Sequence, residues 1–252
     1  MQTSLPGDET LLHAVEAGLG ARPEDRLAVA LDFPSAHLAL DCVDRLEGTC
    51  RWMKVGLELY CAAGNGLIDT LHQRGLEVFL DLKLHDIPNT VSGAIRSVAG
   101  AGASLLTIHA AGGEAMLRAA ANTVASTPGG PRLLAVTVLT SMDAAQLAGT
   151  GVRSNPGEQV LRLARLALGC GVDGLVCSAE ETPTLRHELG PDPYLVVPGI
   201  RPAGSDHADQ RRVATPAEAI ARGASLLVVG RPITQATCPA DAARAILAEI
   251  AG

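Results

Sequence analysis

The chain has 252 residues, 47% hydrophobic and 19% charged, a balance close to that of ordinary globular proteins and unlike that of disordered or fibrous chains. Its 20 Lys and Arg against 27 Asp and Glu give a net charge of -7, and two Phe, two Tyr and one Trp offer few stacking platforms, so no nucleic-acid partner is expected. No run approaches the ~18 apolar residues of a membrane span, and the start, Met1 to Glu9, is polar and acidic where a secretory leader is basic and then apolar; the expectation is a cytoplasmic protein without a membrane partner.

Residues 1–25 read as an N-terminal extension, in which Leu11, Leu12, Val15 and Leu19 at near-helical spacing predict a short packing helix. From 26 to 252, short β-rich runs alternate with Ala- and Leu-rich segments, the pattern of repeated βα units in a single domain. Strands are expected at 27–32, 51–55, 77–83, 104–109, 133–139, 174–177, 194–197 and 225–229. Helices with an apolar stripe are expected at 91–99, 114–125, 157–168 and 216–221, with 239–250 closing the chain. Such a series closes into a (β/α)8 TIM barrel or opens into a doubly wound sheet. Polar side chains favour the barrel, because they mark nearly every strand end: Asp32, Lys54, Asp81 with Lys83, His109, Thr137 or Thr140, Arg201 and Arg231. An open sheet would gather them at one crevice, and no G-x-G-x-x-G follows the first strand. The loops at 141–155 and 202–211 exceed the ~2–6 residues usual between such elements, which makes them candidate lids.

Within 77–86, EVFLDLKLHD, aliphatic residues alternate with Phe79, Asp81 and Lys83, so Asp81 and Lys83 are expected to share the inward face. Residues i and i+2 lie roughly 6.5–7 Å apart along a strand, close enough for the opposite charges to couple. Asp86 lies beyond the strand, where Pro88 keeps Ile87 extended and the carboxylate can return toward the ammonium. An ammonium between carboxylates is held charged and acts as a proton donor, whereas a Schiff-base lysine needs the neutral amine. The plainer alternative is an ion pair that only holds the strand. In 225–232, SLLVVGRP, Gly230 lets a phosphate approach the backbone and Arg231 adds a planar fork of donors, at the position where barrels usually bind phosphate. Asp32 and Lys54 offer an acceptor and a donor that suit sugar hydroxyls, while His109 fits a structural histidine as well as a catalytic one. The six cysteines contain no C-x-x-C pair and His, Asp and Glu show no metal spacing, so reduced thiols and no metal are expected.

The run Asp81-Leu82-Lys83-Leu84-His85-Asp86-Ile87-Pro88-Asn89-Thr90 resembles the catalytic signature of the orotidine 5'-phosphate decarboxylase family, in its bacterial branch. Ordered companions span about 26–235: AVALDFPS (28–35), MKVGLELY (53–60), VTVLTSM (136–142), PGIRP (198–202), DQRR (209–212) and VVGRPIT (228–234). The resemblance implies a cofactor-independent barrel that converts orotidine 5'-phosphate to UMP and CO2, as a homodimer with its active sites at the subunit interface. It assigns Asp81 and Lys83 to catalysis from one chain and Asp86 from the other. It also implies that Asp32 and Lys54 hold the ribose with the other chain's Thr90, that Thr140 faces the pyrimidine, and that Gln210, Gly230 and Arg231 bind the phosphate, with Arg201 on the same side. Two rival functions share these residues: a Mg2+-dependent sugar-phosphate decarboxylase or synthase built on the same D-x-K-x-x-D motif, and a non-catalytic phosphoribosyl-ligand binder.

Overall fold

The computed structural model describes residues 22–202 and 214–252. The expected helix in the extension and the segment carrying Gln210 therefore lie outside the described residues. Eight parallel strands pair in chain order and the last returns to the first, forming a closed barrel: β1 (Leu27–Ala30), β2 (Trp52–Gly56), β3 (Glu77–Leu84), β4 (Leu105–His109), β5 (Arg132–Val136), β6 (Gly174–Val176), β7 (Tyr194–Val197) and β8 (Leu226–Val229). The doubly wound alternative is thereby excluded. A turn of 3-10 helix, Pro23–Arg26, leads into β1.

The outer layer consists of α1 (Ala36–Arg45), α2 (Leu57–Ala63), α3 (Asn65–Gln73), α4 (Pro88–Ala99), α5 (Gly113–Ala125), α6 (Ala144–Gly149), α7 (Pro156–Gly169), α8 (Thr182–Leu189), α9 (Pro216–Ala221), α10 (Arg231–Thr234) and α11 (Pro239–Ala251). Four helices, α4, α7, α9 and α11, begin on proline, whose fixed φ suits a first turn and whose missing N–H would have no intrahelical partner there. Asn155 caps α7 by accepting from the Glu158 N–H at 2.9 Å. The expected 141–155 loop contains α6, started by a reciprocal capping box between Asp143 and Gln146.

Strand periodicity divides the core in two. Ala28, Phe79, Leu105, Leu134, Val196 and Leu226 fill the barrel interior, while Val29, Val78, Leu80, Leu106, Leu133 and Leu227 face the helices. Several strand ends differ from expectation, three of them with a visible local cause. β1 stops at Ala30, short of Asp32, before Pro34, which has no N–H to extend a ladder. β5 stops at Val136, short of 139, because its partner β6 ends at Val176, directly opposite. β3 runs on to Leu84 through an irregularity: Leu80 pairs with Leu106 and Leu84 with Ile108, so β3 carries more chain than β4 across that interval.

Candidate active site

A cavity of about 410 Å³ opens at the C-terminal ends of the strands, lined by Asp32, Lys54, Asp81, Arg201, Gly230 and Arg231 together with Ala30, Phe79, Pro198, Gly199, Val228 and Gln235. Four strands, β1, β2, β3 and β8, contribute to it with the loops that follow β1, β7 and β8, and it rests on the apolar plug of the barrel interior, where Phe79 belongs to both. The first strands supply two ion pairs. The buried Lys54 ammonium lies 2.6 Å from Asp32 Oδ1. Gly56 leaves room for that ammonium, since a Cβ there would stand 3.1 Å from Lys54 Nζ and 3.6 Å from Asp32 Oδ1. The Lys83 ammonium contacts both oxygens of Asp81 at 2.8 Å.

The second pair is made differently from the sequence expectation. Strict alternation ends at the irregularity in β3, where Lys83 takes a left-handed backbone with φ of 51°. A non-glycine residue there costs about 1–2 kcal/mol, so something must hold it. Thr107 of β4, fully buried, accepts the Lys83 backbone N–H at 2.8 Å and donates to Asp81 Oδ1 at 3.0 Å. An orphaned buried N–H would add about 1–3 kcal/mol to that strain, and the Thr107 hydroxyl removes this second cost. Sequence reasoning missed Thr107 and Gly56. A signal for Thr107 existed, because LLTIH places a lone hydroxyl on the same face as the interior Leu105.

The opposite side of the cavity is cationic. Arg201 is 9% exposed and donates to the Ile200 carbonyl at 2.8 Å. Burial, and then the neighbouring Arg231 charge, lower its guanidinium from the ordinary value. Two guanidiniums that disfavour each other make a place for an anion. Gly230, between β8 and α10, adds a surface without a side chain beside Ala30 and Asp32.

Other expected site residues stand apart. The Asp86 carboxylate does not return to Lys83 of its own chain; it accepts the Ile87 N–H at 2.6 Å and is exposed, as are Ile87, Pro88, Asn89 and Thr90. The cause is local, since the extended Ile87 carries the chain directly into Pro88 at the start of α4. Thr140 lies half-buried beyond the end of β5 and does not line the cavity. His109 ends β4 and stacks on His85 with ring centroids 5.2 Å apart. Burial first, then the His85 and Lys83 charges, lower its imidazole, and its buried Nδ1 has no hydrogen-bond partner. Among the described residues no cluster of three or more His, Cys, Asp or Glu is placed to hold a metal ion, and no helix is long and apolar enough to cross a membrane.

Comparison with known proteins identifies the family and matches the barrel. The family model described as orotidine 5'-phosphate decarboxylase / HUMPS family matches residues 25–246. An orotidine 5'-phosphate decarboxylase of Anaeromyxobacter sp. (strain K) is 52% identical over 227 residues, covering 90% of this chain and 99% of that one. Its counterpart in Halorhodospira halophila (strain DSM 244 / SL1) is 53% identical over 226 residues, covering 90% and 96%. The crystal structure of orotidine 5'-phosphate decarboxylase from Lactobacillus acidophilus superposes with a TM-score of 0.81 at 40% identity, covering 90% of this chain and all 100% of that one. A match running from the turn before β1 into α11 takes in every strand of the barrel, and the chain belongs to the orotidine 5'-phosphate decarboxylase / HUMPS family.

Proposed function

We propose that the chain is a carbon–carbon lyase that decarboxylates orotidine 5'-phosphate to UMP and CO2 without a cofactor, in pyrimidine nucleotide biosynthesis. The observation that carries this reading is the Lys83 ammonium, gripped by both oxygens of Asp81, a carboxylate that lines a cavity whose other side presents Arg201 and Arg231. A phosphate bound by Gln210, Gly230 and Arg231, with Arg201 on the same side, tethers the substrate. Asp32 and Lys54 engage the ribose hydroxyls.

Breaking the C6–carboxylate bond leaves its electron pair in the plane of the ring, where no carbonyl can delocalise it. Stabilisation must then be electrostatic. A fixed ammonium supplies it, and the Lys83 Nζ proton passes to C6 as CO2 departs, leaving an amine that regains a proton from solvent. Asp81 holds the ammonium and lies beside the departing carboxylate. Binding energy from the remote phosphate contributes to closing the site over the base.

Asp86 and Thr90 serve the other site of a homodimer. Their exposure, with that of Ile87 between them at 67%, fits a rim that meets a second copy. On this reading residues 26–252 are the catalytic barrel and 1–25 an extension to it.

Chelator-treated protein mixed with orotidine 5'-phosphate should show the ultraviolet change of conversion to UMP, and Lys83→Ala should keep the dimer while losing turnover. By microscopic reversibility, the wild-type protein should also exchange the C6 hydrogen of UMP with D2O, and Lys83→Ala should not. Substantial decarboxylation by Lys83→Ala would overturn the assigned role, and stabilisation by UMP with no turnover by the wild type would overturn the activity.

A further inference from the structure

The side chains of β4 that face the barrel interior are Leu105, Thr107 and His109, and Thr107 sits where β3 carries its surplus of chain. Its hydroxyl has one proton and two lone pairs. The Lys83 backbone N–H can only donate and the Asp81 carboxylate, when ionised, can only accept. The orientation of the hydroxyl is therefore fixed: it accepts from Lys83 N at 2.8 Å and donates to Asp81 Oδ1 at 3.0 Å. Asp81 in turn holds Lys83 Nζ through both oxygens. One buried group on a neighbouring strand thus fixes the backbone from which the lysine springs and the carboxylate that receives its tip.

We infer that Thr107 is a positioning residue for the decarboxylation step, holding the Lys83 ammonium at the place where the C6 carbanion forms. The inference rests on the function proposed above. It separates two parts of the site that the geometry keeps physically distinct. The groups facing ribose and phosphate stand on β2 and just beyond the ends of β1, β7 and β8, whereas Thr107 hydrogen-bonds to Lys83 and Asp81. Loss of its hydroxyl frees Lys83 and Asp81 while leaving substrate capture alone. Chemistry that depends on a near-attack geometry is sensitive to such a displacement, by up to about 100-fold for 1 Å.

Steady-state kinetics of Thr107→Val, which keeps the shape and removes the hydroxyl, should show kcat reduced about 10- to 100-fold with KM for orotidine 5'-phosphate within about 3-fold of wild type. Thr107→Ser, which restores the hydroxyl, should keep at least about a third of the wild-type kcat. C6 exchange of UMP in D2O should fall in Thr107→Val in parallel with kcat, while its affinity for UMP is maintained. A purely packing role would lower the melting temperature without separating kcat from KM. Should Thr107→Val fail to fold, Thr107→Cys measured against Thr107→Ser makes the same comparison, since thiol and hydroxyl are similar in size and the thiol is a poor hydrogen-bonding group. Equal kcat in the Cys and Ser variants, or wild-type kcat in the Val variant, overturns the inference. A wild-type protein that does not decarboxylate the substrate overturns the proposed function instead, a result read before any variant is made.

Discussion

Residue-scale chemistry at this site depends on where a charge is allowed to stand. Lys54 is buried yet paired, and Lys83 is anchored by a carboxylate and a bent backbone. His109 shows the opposite treatment: buried, near one ammonium and stacked on a second imidazole, its ring disfavours the proton. The sign of the consequence follows. With the folded pKa below the ordinary value of about 6.5, the unfolded chain takes up this proton first as pH falls. Stability is then lost from about pH 6.5 downward and levels off below the folded value, where both states are protonated. Denaturant unfolding of His109→Asn between pH 7 and 5 should show a shallower loss than wild type; an unchanged slope would mean that other groups carry it.

At the scale of elements, much of the site was legible because strand periodicity and strand ends say which side chains meet in a barrel. Asp32, Lys54, Asp81, Arg201, Gly230 and Arg231 all reach one cavity as their positions in the sequence suggest. What escaped was the departure from periodicity. Nothing in DLKLHD announces a left-handed lysine, since the bulge arises from competition between two strands' registers, which one strand's pattern does not encode. Asp86 was misplaced within its own chain for a similar reason: local stiffness at Ile87 and Pro88 could be read, but its direction relative to Lys83 could not. Helix starts at α7 and α9 were more transparent, as their caps are chemical signals in the sequence, whereas the capping box of α6 went unread inside the expected 141–155 loop. Removing one tests its worth away from the cavity. Asn155→Ala should destabilise the protein by about 1 kcal/mol, lowering the melting temperature by about 2–4 °C, with kcat unchanged; a calorimetric scan beside the activity assay checks both.

Across the whole molecule, chemistry and stability occupy opposite ends of the barrel. The mouth holds the Lys54–Asp32 and Lys83–Asp81 pairs, and at the other end Arg186 of α8 ties several segments together. Its guanidinium donates to the carbonyls of Gly190 at 3.4 Å, Pro191 at 2.9 Å, Pro193 at 2.7 Å and Gly223 at 2.9 Å, and to Ser225 Oγ at 2.9 Å. Ser225 Oγ also accepts the Leu195 N–H at 3.0 Å. One side chain therefore joins the approaches to β7 and β8, the strands that complete the circle. Arg186→Met would strip several carbonyls of a charged donor, and a loss of at least about 2 kcal/mol is expected. Urea denaturation should show that loss while the folded fraction keeps its wild-type kcat; a parallel fall in kcat would show that the two ends are coupled.

The torsion at Lys83 has an evolutionary corollary. Codon 83 answers to two judges, since the bend in the main chain is most comfortable for glycine or asparagine while the proposed proton transfer requires an amine. A randomised library sorted only for soluble expression would drift toward those small residues, and one sorted for growth without uracil would be driven back to lysine. The distance between the two winning pools would measure how much folding ease is given up at this position in exchange for turnover.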